Sequence, residues 1–254
     1  MLMDNPCFVL WENEDLSRRI IHRMQRGEHI DAFLPAEFRF LEEEGPAWEE
    51  FFRFLGYRLV RTTIGEETFS YLVSQTGHMQ PGRLGRGATF LGLFLSWHFL
   101  NQGIDGIEKV GAAEIHEHLL STFDFNLLLT IFNPRGKHSR KKEESERQQR
   151  FLRDWMRTSL NELARYRFIE IKPSPRADWG TVQLYRLPAL QRFLEVGRDL
   201  IQQDRDFSGK VDPEAEPEDG FARRIQRLWG SLEVPEDEDG QAPGHEDDED
   251  AEDA

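Results

Sequence analysis

The sequence predicts a mainly helical α+β chain carrying two small β-hairpins, arranged as two like halves and followed by an acidic tail. Three observations carry this reading. Apolar residues recur at helical spacing through most of the chain; two pairs of β-branched and aromatic runs interrupt them, within residues 57–74 and 168–187; and the composition turns acidic after Val211. With 254 residues, 38% of them hydrophobic, the chain can build one large core or two small ones.

Leu16, Ile20, Ile21 and Met24 form one apolar face, which predicts a helix over 16–26 stopped by Gly27. A second helical stretch opens near Pro35, breaks at Gly45-Pro46, and resumes through Trp48, Phe51, Phe52 and Leu55 to Gly56. Residues 57–63 and 68–74 then read as strands around an Ile64-Gly65-Glu66-Glu67 turn. The helical pattern returns over 84–100, followed by a glycine-containing loop at 101–106, a helix over 112–121 and a short one over 125–132. A long helix is expected over 141–166, then strands over 168–172 and 181–187 joined through Pro173-Ser174-Pro175, and a closing helix after Pro188. Helices followed by a two-stranded hairpin thus occur twice, which is the plan of tandem winged-helix modules at 1–80 and 81–205. Residues 206–254 form the tail. In it Phe221, Ile225, Leu228 and Trp229 mark an amphipathic helix over 221–232, a candidate partner-binding element, and the rest is expected to be disordered.

A formal charge of −15 argues at first against a polyphosphate partner. The charge is unevenly distributed, however. Residues 212–254 hold 17 acidic side chains against three arginines, which leaves the body near neutral, and residues 135–186 hold 14 Lys/Arg against 7 Asp/Glu. The single cysteine, Cys7, cannot form an intramolecular disulfide, and a cytoplasmic protein is expected. The most apolar run, 88–100, is too short for a membrane span and contains His98, so it reads as a buried helix.

On a wheel of the long helix, Arg147, Arg150, Arg153 and Arg157 share one arc of roughly 120°. Leu152, Trp155, Met156, Ser159, Leu160, Leu163 and Tyr166 occupy the opposite arc, so one face can be buried while the arginines point outward. Arg140, Lys141 and Lys142 extend the charge at the helix start, and Lys172, Arg176 and Arg186 would add to it on the wing. These are the candidate contacts to duplex DNA phosphates. Glu143 with Arg147 and Glu146 with Arg150 offer a competing reading as ordinary i,i+4 pairs. Few Asn or Gln residues accompany the arginines, which disfavours base-specific readout.

Other constellations carry less. His116 and His118 are two apart and point in opposite directions on a helix; His22, His29, His78, His98 and His138 are scattered; neither set makes a metal site or a triad. Gly82-Arg83-Leu84-Gly85-Arg86-Gly87 lacks the ending of a phosphate loop and reads as a linker between the modules. No cofactor is expected. The acidic tail serves solubility, or competes with DNA for the arginine face, with 221–232 as its anchor.

An ordered series of segments carries a family resemblance. It comprises Met24-Gln-Arg-Gly-Glu-His-Ile30, Trp48-Glu-Glu-Phe-Phe52, Leu59-Val-Arg61, Phe69-Ser-Tyr-Leu72, the helical 91–100, and Arg157-Thr-Ser-Leu-Asn-Glu-Leu163. In these the chain resembles the MukE/MksE subunits of bacterial condensins, tandem winged-helix "kite" proteins, over 20–199. The N-terminal 16 residues, the 135–142 loop and the longer acidic end depart from the enterobacterial members and favour the MksE branch. The resemblance implies a non-enzymatic homodimer that binds a MukF/MksF-like kleisin and, through it, a MukB/MksB-like SMC ATPase, in chromosome organisation and segregation or plasmid defence. It also implies DNA contacts on the winged-helix surface, at Arg147, Arg150, Arg153 and Arg157, with Lys172 and Arg176 on the wing.

Two other classes compete: a winged-helix transcription regulator that binds an operator as a dimer, and a pure protein-interaction module. Residues 17–74, with 8 bases and 10 acids, have no electrostatic reason to touch DNA and suit dimer or kleisin contacts. The sequence contains no enzymatic constellation.

Overall fold

The computed structural model describes residues 7–75, 84–102, 109–132, 142–173 and 178–197, the side chains of 102 and 142–149 excepted. Its first half runs α1 (Phe8–Glu12), α2 (Glu14–Gln25), β1 (Ile30–Asp31), α3 (Pro35–Glu43), α4 (Gly45–Phe54), β2 (Tyr57–Ile64) and β3 (Glu67–Ser74). Glu14 and Asp15 in the first turn of α2, with His22 and Arg23 in the last, complement the helix dipole. Gly27, at φ +82°, then takes the left-handed position beyond the helix end. Prolines open both α3 and α4, so what reads as one interrupted stretch is two helices. Ile64 pairs with Glu67, which leaves Gly65-Glu66 as a two-residue turn, and Gly65 supplies the positive φ it needs.

The second half runs in a like order, with one helix before its first strand and three after it: α5 (Arg86–Gln102), β4 (Lys109–Gly111), α6 (Ala112–Thr122), α7 (Phe125–Phe132), α8 (Lys142–Arg165), β5 (Ile169–Lys172) and β6 (Gln183–Arg186). Short 3-10 turns lie at Trp179–Thr181 and Pro188–Gln191. Both sheets are antiparallel, with strand order β1-β3-β2 in one half and β4-β6-β5 in the other, so in each the first strand pairs with the last.

Both expected hairpins are present, and each is part of a three-stranded sheet. The added strands, β1 and β4, are two and three residues long and have no period of their own to display. In the second hairpin Thr181 belongs to a 3-10 turn, and the strand begins at Gln183. The tail, with Phe221, Ile225, Leu228 and Trp229, lies outside the described residues, as do most of the 101–106 loop and part of the Pro173-Ser174-Pro175 turn.

Two apolar cores form. One gathers Ile20, Met24, Leu41, Trp48 and Phe52, with Trp48 and Phe52 stacked at 5.6 Å. The other gathers α5, α6, α7 and the inner face of α8, and it includes Phe69 from β3 of the first half. The apolar run predicted as a buried helix is α5, packed on α8, α7 and the 3-10 turn at 188–191. Two of its glycines allow close approach: a methyl on Gly87 would lie 2.6 Å from Ser159 Oγ, and one on Gly92 would overlap the Phe193 ring. No helix among the described residues is long and apolar enough to cross a membrane.

Candidate nucleic-acid interface

Helix α8 turns Leu152, Met156, Ser159, Leu160 and Leu163 inward, as its period predicts. Trp155 departs from that pattern: it lies at the edge of the apolar arc and is 40% exposed. Beside it Phe151 is 57% exposed. Phe151 escapes a reading of the apolar arc because it falls roughly 40° outside it.

The arginines divide. Arg150 and Arg153 are exposed and make no ion pair among the described residues. Arg157 is half-buried, its guanidinium stacked over Trp179 at 5.5 Å and its Nε without a hydrogen-bond partner, which corrects its placement as a freely outward group. Lys142 and Arg147 lie on α8, with side chains outside the described set; Arg140, Lys141 and Arg176 lie outside it altogether. Lys172 is exposed at the end of β5, 2.9 Å from Glu170 and over the Tyr185 ring. The hydrogen bond to Glu170 raises its pKa.

Arg186 turns toward the first half of the chain. Its two terminal nitrogens donate to the Glu67 carboxylate at 2.8 and 3.0 Å, so its charge is spent on the first half of the chain. Gln191 also donates to Glu67.

That pair belongs to a polar junction between the halves that local periodicity does not announce. Asp31 of β1, fully buried, accepts from Arg167 at 3.1 Å and from the Phe33 backbone N–H at 2.9 Å. Burial raises the Asp31 pKa, and the Arg167 charge opposes the rise. Arg167 itself sits at φ +61° just past α8. His29, fully enclosed, donates from Nδ1 to the Tyr166 carbonyl at 2.7 Å, which leaves Nε2 to accept from Arg192 at 2.7 Å. Desolvation and the Arg192 charge lower its pKa to about 3, so it is neutral at physiological pH. Arg192 also covers the Tyr71 ring at 3.8 Å.

The histidines are less scattered than they read. His98 of α5 and His118 of α6 approach with Nδ1 atoms 3.2 Å apart, one donating and the other accepting. Burial, then the His118 charge, lowers the His98 pKa; burial, then Arg153, lowers that of His116. No group of three or more His, Cys, Asp or Glu suited to a metal ion occurs among the described residues.

A family model described as condensin complex protein MksE matches residues 15–198, from α2 through both sheets to the end of the described chain. That match defines the class, a subunit of a condensin complex. The chain belongs to the MksE family. A comparison with curated proteins gives no match.

Proposed function

We propose that this protein is the non-enzymatic, winged-helix accessory subunit of a bacterial condensin, binding a kleisin as a homodimer and holding duplex DNA through α8. The shared order of helix, short strand, helices and two further strands, with the first strand pairing with the last, supports the winged-helix reading of both halves. One observation carries the DNA face: Arg150 and Arg153 stand exposed with no ion pair among the described residues, on the helix before the second hairpin. Lys172 stands exposed at the strand end, paired there with Glu170, and Arg147 shares the arginine arc. Such a face engages phosphates and gives sequence-indifferent, salt-sensitive binding. The first half supports partner contact, because Trp11 and Phe54 are 78% and 85% exposed there and aromatic anchors of this kind dominate protein interfaces.

The test has two arms. The protein is purified at native level from its own cell and its companions are identified; a stoichiometric kleisin and SMC ATPase support the reading, and a lone dimer on one genomic site overturns it. In the reconstituted complex, Arg150→Glu with Arg153→Glu lowers affinity for unrelated duplexes at least ten-fold and flattens the salt dependence. Unchanged binding would remove α8 from the interface.

A further inference from the structure

We propose that residues 221–232 of the chain's own tail dock on the Phe151–Trp155 edge of α8, with the acidic sequence on either side lying over Arg150 and Arg153. The contact deepens the reading of α8 as the DNA-facing helix and depends on that reading only for its consequence, competition with DNA.

Duplex phosphates explain exposed arginines but not the aromatics beside them. Phe151 and Trp155 are one helical turn apart, 57% and 40% exposed, and a duplex offers them no unstacked base face. An exposed aromatic pair flanked by cations fits an apolar helix face with anionic neighbours. The chain carries such a segment. Phe221, Ile225, Leu228 and Trp229 recur at helical spacing on one face; Arg223 and Arg227 fall on the other, away from the cations of α8, and Arg224 borders the apolar stripe. Five acidic residues lie at 212–219 and five more at 233–239. The occupant therefore matches the edge in apolar character and its flanks match it in charge.

Reach does not prevent the contact. The described chain ends at Gly197 in the same half as α8, and 23 residues separate it from Phe221, a tether that can extend to about 80 Å. A tethered segment acts at an effective concentration in the millimolar range, so a weak contact is enough to populate the docked state. Duplex DNA would displace it by taking the arginines, and the tail would screen out weak, nonspecific encounters.

The test uses the full chain in 5-fluorotryptophan form. Cys7→Ser and Ser231→Cys place one nitroxide beside the tail segment, and Trp155→Phe assigns the Trp155 fluorine signal. In the expected result the Trp155 signal loses more than half its intensity at low salt while that of Trp48, buried in the first core, is retained. Phe221→Ala with Trp229→Ala restores it. Equal intensities for Trp155 with oxidised and reduced nitroxide overturn the proposal. So does broadening that appears only when labelled and fluorinated chains are mixed, because the occupant would then be a second copy's tail. The experiment contains no DNA, so its failure leaves the charge-reversal test of the DNA face standing, and failure of that test leaves this one standing.

Discussion

The Arg167 guanidinium meets the Asp31 carboxylate at 3.1 Å across 136 residues of chain, joining the short first strand to the end of α8. Arg167 reaches it from a left-handed backbone conformation, which a non-glycine residue adopts at a cost of roughly 1–2 kcal/mol. The conformation aims the side chain at a fully buried acid.

Removing either partner separates the two effects. Asp31→Asn leaves the Arg167 charge half-buried and unpaired and lowers stability by about 3 kcal/mol in urea titration of the full chain. Arg167→Ala loses the pair and keeps the strained backbone; Arg167→Gly loses the pair and relieves it. The glycine variant is therefore expected to be about 1 kcal/mol more stable than the alanine variant. The reverse order would mean that position 167 is not left-handed in solution.

His29 makes the junction acid-sensitive. Its folded pKa, about 3, lies below the ordinary histidine value, so between roughly pH 6.5 and 3 the unfolded chain binds a proton that the folded chain refuses. Stability from this group is present above the unfolded value and is lost as pH falls through that window, about 2 kcal/mol of it by pH 5. His98 and His116 shift in the same direction and add to the slope. In His29→Gln the amide donates to Tyr166 and accepts from Arg192 without titrating. Thermal midpoints measured from pH 7 to 5 are expected to fall less steeply in that variant than in the parent.

What was legible in the sequence follows from the range of the forces. Helices α2, α4 and α6 to α8 and both hairpins appear in the sequence because a 3.6- or 2-residue period repeats within each, and α5 because it is the most apolar run. Strands β1 and β4 are fixed by pairing with residues 38 or more positions later, such as Ile30 with Ser70, and leave no local trace. The same holds for the site. A helical wheel finds the arginine arc, but whether a cation is free depends on what the fold brings to it: Glu67 to Arg186 and Trp179 to Arg157, but no acid among the described residues to Arg150.

Gly92 shows the same dependence in the core. In the middle of α5 a glycine costs the helix up to about 1 kcal/mol relative to alanine, so Gly92→Ala would stabilise an isolated helix. Here the methyl would overlap the Phe193 ring, which packs on Phe168 at 4.9 Å. Overpacking outweighs propensity, and the variant is expected to lose about 1–3 kcal/mol in urea titration. A companion Phe193→Leu change that makes room should recover part of the loss.

Arg150 and Arg186 lie on the same basic segment and should respond oppositely to substitution. Arg186→Ala breaks two charge-assisted hydrogen bonds to Glu67 and leaves that carboxylate with Gln191 alone. It is expected to lower stability by about 1–2 kcal/mol, with duplex affinity per folded molecule unchanged. Arg150→Ala removes an exposed group with no ion pair among the described residues, so unfolding should shift by less than about 0.5 kcal/mol. Its cost should appear in DNA binding, where the slope of log affinity against log salt becomes shallower by about one for each phosphate that is no longer neutralised. Both quantities can be measured on the same two preparations, by urea titration and by anisotropy of a labelled duplex over a salt series. Loss of DNA affinity in Arg186→Ala with none in Arg150→Ala would move the interface from α8 to the junction between the halves.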